Sequence, residues 1–124
     1  MTVHYVPPIT VTSVRLILDN EKLRRANAKV TTATAYKYGD LLVVSEANVL
    51  THATDEKTWD VICGQDVTAA EATIKAADGI EIPVYYGGVF NVEAVSLGGT
   101  LLTTAQYAAA RAKATKNKIE LSKV

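Results

Sequence analysis

The chain predicts an α+β, β-rich fold: a small mixed or antiparallel sheet, or a partial barrel, with one or two short helices and an extended N-terminal arm. Three observations predict it. Ile80, Ile82 and Val84 alternate with Glu81, Pro83 and Tyr85, the period of two that gives a strand one buried face. Short runs of Val, Ile, Leu and Thr recur between turn signals built from Gly, Asp and Asn. An Ala-rich segment near the C-terminus repeats small apolar residues at helical spacing between a start and a stop signal.

The elements follow in order. Residues 1–10 hold Tyr5, Pro7 and Pro8 with no periodic apolar face, which predicts an extended arm stiffened at its end; residues 11–124 form one domain. Ile9 to Leu18 is rich in Val, Ile and Thr and predicts a strand. Asp19-Asn20-Glu21 is a turn signal or helix cap, with Glu21 to Ala28 a short helix or loop ahead of a Val30 to Tyr36 strand. Tyr38-Gly39-Asp40 predicts a turn, Leu41 to Val44 a buried strand, Glu46-Ala47-Asn48 a second turn, and Val49 to Ala53 the returning strand. Thr54 to Lys57 is a polar loop, and Trp59 to Asp66 resumes β character. Thr68 with Glu71 three residues on is a capping-box pattern, placing a short helix or an ordered loop over Thr68 to Ala77.

The stretch GIEIPVYYGGVFNVEAVSLGG, Gly79 to Gly99, carries a strand interrupted at Gly87-Gly88 by a turn or bulge, after which Val89 and Phe90 re-enter the core. Asn91 to Leu97 then predicts a short helical turn stopped by Gly98-Gly99. Thr103 and Gln106 form a second capping-box pattern, opening a helix from Thr104 to about Lys116 whose contact stripe is Ala105, Ala108, Ala109 and Ala112. Such a stripe buries little area, so the helix must lie tightly on a sheet or on a neighbouring subunit. Lys113 and Lys116 suit its negative end, Asn117 can close it, and Ile119 and Leu121 alternate in a final strand.

Composition narrows the classes of function. At 124 residues and 48% hydrophobic the chain can hold a core, yet at 6% aromatic that core is thin or shared with a partner. The single Cys63, in an apolar run, excludes an internal disulfide and a cysteine metal cluster and reads as a buried thiol. No apolar run is long enough to span a bilayer, and MTVHYVPPIT has neither the basic nor the apolar region of a secretory signal, so no membrane partner and a cytoplasmic site of synthesis are expected. Net charge is zero but segregated: +3 over residues 1–40, −7 over 41–100 and +4 over 101–124. Such segregation can pair opposite surfaces between subunits, or folding can intermix it.

Catalytic chemistry is not visible. His4 and His52 lack ligand partners at usable spacing, and Asp55, Glu56 and Asp60 cluster without a calcium-loop pattern, so no metal or cofactor is expected. Phosphate loops, dinucleotide fingerprints and nucleophile elbows are absent, and nothing assembles a nucleophile with a base and an orienting group; the chain is not expected to be an enzyme. Arg24-Arg25 and the Lys113 to Lys118 cluster read as solvated faces of a charge-balanced chain, with no direct nucleic-acid partner. Trp59 is an interface anchor or a core plug, and Tyr86 and Phe90 join it as interface candidates beside the alanine stripe.

The order of parts resembles the lambda-type head decoration proteins of tailed bacteriophages. The likeness runs from about Tyr36 to Val124: YKYGDLLVV, a polar loop, WDVICGQDVTAAEA, IPVYYGGVFNVEAV, an Ala-rich helix and a terminal KIELSKV strand, the Ile82 to Val95 succession being the most specific piece. The resemblance implies a structural protein of the virion that binds the outer surface of the expanded head as a homotrimer, at three-fold and quasi-three-fold positions, and stabilises the shell against packaged DNA. Its partners would be the major capsid protein and itself. In the family the N-terminal arm contacts the capsid lattice; the matching residues are Thr2, Val3, His4, Tyr5, Val6, Pro7, Pro8, Ile9 and Thr10. The chain departs from the family in a longer strand-forming segment, Val11 to Thr34, ahead of the matched core. The competing class is another trimeric β-rich module, such as a tail-spike or adhesin fragment that binds a surface ligand.

Overall fold

A computed structural model describes residues 15–123; the arm residues Thr2 to Thr10, with His4, and most of the expected Ile9 to Leu18 strand lie outside them. The fold is α+β and strand-rich, as the sequence predicts. In chain order it comprises β1 (Ile17–Lys29), β2 (Leu41–Val44), β3 (Leu50–His52), β4 (Val61–Cys63), α1 (Ala69–Asp78), β5 (Glu81–Asn91), a 3-10 turn (Val92–Ala94), β6 (Ser96–Leu97), β7 (Thr100–Leu101), α2 (Thr104–Lys116) and β8 (Ile119–Ser122).

Six strands make one sheet in the order β1-β5-β4-β2-β3, with β8 also on β5. The pairings are antiparallel except β5 with β8, which run parallel and are joined through α2, a crossover that only a helix-length connection permits. A parallel bridge from Lys29 to Val49 links the two ends of the order without closing a barrel. Leu41, Leu42, Val61, Ile62 and Cys63 are all buried, so these short strands read as unbroken apolar runs because both sheet faces are covered.

Two cores result. One, under α2, holds Trp59, Tyr85, Phe90, Ile62, Leu41 and Leu121. The other, on the α1 side, is aliphatic around Leu42, Leu50, Ile82, Val84 and Ala72, with Tyr36 at its edge. β5 serves both through a bulge. Arg24 faces Gly87 while Arg25 faces Tyr85, so Tyr86 is an extra residue and the side chains change faces there. Ile82 and Val84 therefore point to the α1 side, whereas Phe90, of the same parity, points to the α2 side.

Several elements differ from expectation. Of the turn and the bulge expected at Gly87-Gly88, the bulge forms, at Tyr86 beside Gly87, and the turn does not: β5 runs through both glycines, which allow close approach. Gly88 sits at φ +133°, and a Cβ there would come within 3.3 Å of Leu23 Cα on β1. Glu21 to Ala28 is neither helix nor loop but part of β1, which bows outward between Asp19 and Arg24; the Asp19 signal survives as a local turn in which Asp19 Oδ1 accepts from the Glu21 amide at 2.8 Å. Val30 to Tyr36 is a loop with Ala33 at φ +57°, and only Tyr36 bridges, to Val67. Ile80 lies outside β5 and is 44% exposed. The expected helical turn shortens to Val92–Ala94, and Gly98-Gly99, both at positive φ, turn the β6–β7 hairpin rather than stop a helix.

The helices start as their boxes predict. Thr68 accepts from the Glu71 amide while Glu71 accepts from the Thr68 amide, and Gly79 closes α1 in the left-handed conformation. α2 spans Thr104–Lys116, with the Thr103 amide donating to Gln106 Oε1 at 2.8 Å. Its core face is Ala110 and Ala114, not the expected alanine stripe.

Candidate functional site

An open groove of about 1060 Å³ lies between the bowed part of β1, the glycine segment of β5, β8 and α2. Gly87, Gly88 and Val89 supply one wall and Ala108 and Ala112 another, while Lys22, Arg24, Arg111 and Lys118 place four cations around it against Glu120 alone. Small residues leave the walls low and apolar; the long cationic side chains reach over them into solvent. Among the described residues no lysine or arginine makes an ion pair, so the groove's positive field is uncompensated. Arg24 donates only to the Leu23 carbonyl, and Glu120 already accepts from Ser122.

The structure sorts the expected interface residues into two groups. Tyr86, bulged out of β5 and 48% exposed, lies on this groove with Ala108 and Ala112. Ala105 is exposed on the first turn of α2 and Ala109 is half-buried. Trp59 and Phe90 are corrected to core: both are fully buried, and Trp59 Nε1 donates to the Glu56 carbonyl at 3.0 Å. An aromatic placed between a polar loop and an apolar strand had to pack inward once α2 crossed above it, with Asn117 Nδ2 fastening the helix end to the Trp59 carbonyl.

Lys22 and Arg111 escape sequence reasoning, whereas Arg24 and Lys118 are visible in it but read as solvated faces, since the polar residues of β1 carry no alternation and a basic helix end gives no direction. The usable signal is the segregation of charge, whose two positive segments meet at this groove.

Elsewhere, the titratable groups are engaged in structure. Asp40 is buried, and its Oδ1 accepts from Ser96 Oγ and from the Gly99 amide, its Oδ2 from the Lys37 amide. His52 stacks on Tyr36, donates from Nε2 to the Ala35 carbonyl at 2.7 Å, and presents Nδ1 to Asp40 Oδ2 at 3.8 Å without a hydrogen bond. The serine here donates to the aspartate rather than to the histidine, which makes the group a tie between loops, not a relay. Burial pushes the Cys63 thiol up to about 11, and its Sγ donates to the Gln65 carbonyl. The amide of Lys57 and then the hydroxyl of Thr58 hold the exposed Asp55 carboxyl below its ordinary value. Asp60 caps the Val44 amide and Glu56 accepts from Gln106, so the acidic loop is divided among separate duties.

Among the described residues no three His, Cys, Asp or Glu side chains gather as a metal site, and no helix is long and apolar enough to cross a membrane. No protein-family model matches the chain, and no curated protein is significantly similar to it.

Proposed function

We propose that this protein is a capsid cement of a tailed bacteriophage, binding the outer face of the expanded head as a homotrimer at three-fold and quasi-three-fold positions, with the major capsid protein as its partner. The observation that carries this reading is the order of parts from Tyr36 to Val124, in which YKYGDLLVV, WDVICGQDVTAAEA, IPVYYGGVFNVEAV, the Ala-rich helix and the final strand succeed one another as in that family and form a single body here. An uncompensated surface groove and two helices that bury only alanines support an assembly role, since subunit contacts can complete what each chain leaves uncovered. Gripping falls to Thr2 to Thr10: an extended segment gains affinity by adding a strand to a partner's sheet, and three such arms on one trimer multiply weak contacts through effective concentration. The shell is then braced because each trimer ties several capsid subunits together.

Cryo-electron microscopy of the purified protein mixed with expanded capsids of its phage tests the reading. Added density at the three-fold and quasi-three-fold positions is expected; its absence at every symmetry position sinks the proposal. Deleting Met1 to Pro8 is expected to leave a folded trimer that no longer occupies capsids, and full occupancy after deletion would remove the arm from the account.

A further inference from the structure

We infer that the basic groove receives the acidic face of α1 from a second copy of this chain, so that protomers join head to tail. The inference rests on the self-assembly part of the reading above and names the surfaces that make it. The donor surface lies on α1. α1 buries only Ala72 and leaves Glu71, Ile74 and Asp78 exposed at spacings of three and four, one face of a helix. Ile74 is 62% exposed, and Ile80, held just past the helix end by the hydrogen bond its amide donates to the Lys75 carbonyl, is 44% exposed; Glu81 follows. This is an apolar ridge flanked by Glu71, Asp78 and Glu81, three carboxylates against the single cation Lys75 on the helix. The groove is its complement, a low wall of Ala108 and Ala112 flanked by Lys22, Arg24, Arg111 and Lys118.

The two surfaces cannot satisfy each other within one chain. α1 packs on the aliphatic core and α2 on the aromatic core, on opposite sides of the sheet. Along β5, Glu81 and Gly87 are separated by about 20 Å of extended strand, well beyond the screening length at physiological salt. A contact between them is therefore between copies, and because groove and ridge are different surfaces it is heterologous; a rotation that closes makes it a ring, as a trimer requires. A helix laid in a groove buries its apolar ridge, and the flanking charges fix register and orientation.

Cysteine cross-linking tests this directly, since the native Cys63 is buried. Chains carrying Ile74→Cys and chains carrying Ala112→Cys, mixed under mild oxidation at low salt, are expected to give the mixed disulfide dimer in excess over either self-linked species. The yield should fall with added salt. Asp78→Lys with Glu81→Lys, or Lys22→Glu with Arg111→Glu, should weaken association about tenfold, and a chain carrying all four changes should regain it, as paired charge reversals at one contact do. Circular dichroism checks that each variant is folded. Self-linked Ala112→Cys dimers as the main product, no mixed dimer at any protein concentration, or association unmoved by the reversals overturns the inference, as does a DNA oligonucleotide that occupies the groove and leaves copy-to-copy contact unchanged. The two proposals fail separately. Trimers that bind capsids without the mixed cross-link leave the cement reading standing, whereas a cross-linked ring that binds no capsid leaves only the contact.

Discussion

The core under α2 and the core under α1 are built on opposite principles. Under α2, most of the bulk comes from the sheet and loop, from Trp59, Tyr85 and Phe90, while the helix contributes the buried Ala110 and Ala114 and the half-buried Tyr107. Under α1, the sheet itself is aliphatic, with Leu42, Leu50, Ile82 and Val84, and the helix contributes Ala72. Small helical residues let both helices sit close, but their anchors differ. α2 is tied sideways by Gln106 to Glu56 and by Asn117 to the Trp59 carbonyl. α1 is held mainly by its own ends, the Thr68–Glu71 box and the Gly79 closure, with one lateral tie where Thr73 Oγ1 accepts from the Ala33 amide.

The comparison can be broken most severely at Phe90, which is fully buried in the aromatic core. Phe90→Ala is expected to cost about 3–5 kcal/mol in urea unfolding, and Ile82→Ala in the other core about 2–5 kcal/mol. Because β5 belongs to both, each loss should lower the unfolding midpoint of the whole molecule; hydrogen exchange showing the Ala72 amide still protected when the Phe90 side is open would instead divide the cores. Ala110→Leu should overpack the seat of α2 by about 1–3 kcal/mol, whereas Ala108→Leu, on the groove side of the same helix, should stay within about 0.5 kcal/mol. Thermal melts of the pair separate the buried face from the exposed one. Thr68→Ala should cost about 1 kcal/mol, since the Glu71 amide then loses its acceptor at the start of a helix with little packing to replace it.

The smallest effect belongs to Cys63. Its thiol is raised from 9.0 to about 11 by burial, so the folded state holds the proton that the unfolded state releases first. The stability it contributes is full below pH 9 and is lost as pH rises toward about 11. Alkylation by a small reagent at pH 8 should be slow in the native protein and prompt in urea; fast native alkylation would show that the aliphatic core opens readily.

Much of this was legible in the sequence where a local rule and the tertiary setting agreed. Both capping boxes, the α2 span from Thr104 to Lys116, the LLVV run and the Ile119–Leu121 alternation each follow from neighbours within a few residues. β1 was not legible, because its residues are mostly exposed and its stability comes from pairing with β5, far along the chain. Which face of α2 packs on the core was not legible, because alanines at 105, 108, 109, 110, 112 and 114 leave almost no direction in the pattern. Trp59 and Phe90 carried both readings, and only the crossover of α2 decided between them. The groove was the least legible feature, since its four cations come from β1, α2 and the turn before β8 and meet only in three dimensions.

The pairing of β1 with β5 has a consequence for synthesis. Its partners lie about fifty to seventy residues apart, from Lys29 with Glu81 to Ile17 with Phe90, so the contact has high order and closes slowly. A chain emerging from the ribosome at about 5–20 residues per second presents β1 for several seconds before β5 exists. During that interval β1 is an unpaired strand, the kind of segment that recruits neighbouring nascent chains. Lys22, Arg24, Arg25 and Lys29 outweigh Asp19 and Glu21 in it, and like charge on an exposed strand edge works against pairing between waiting copies.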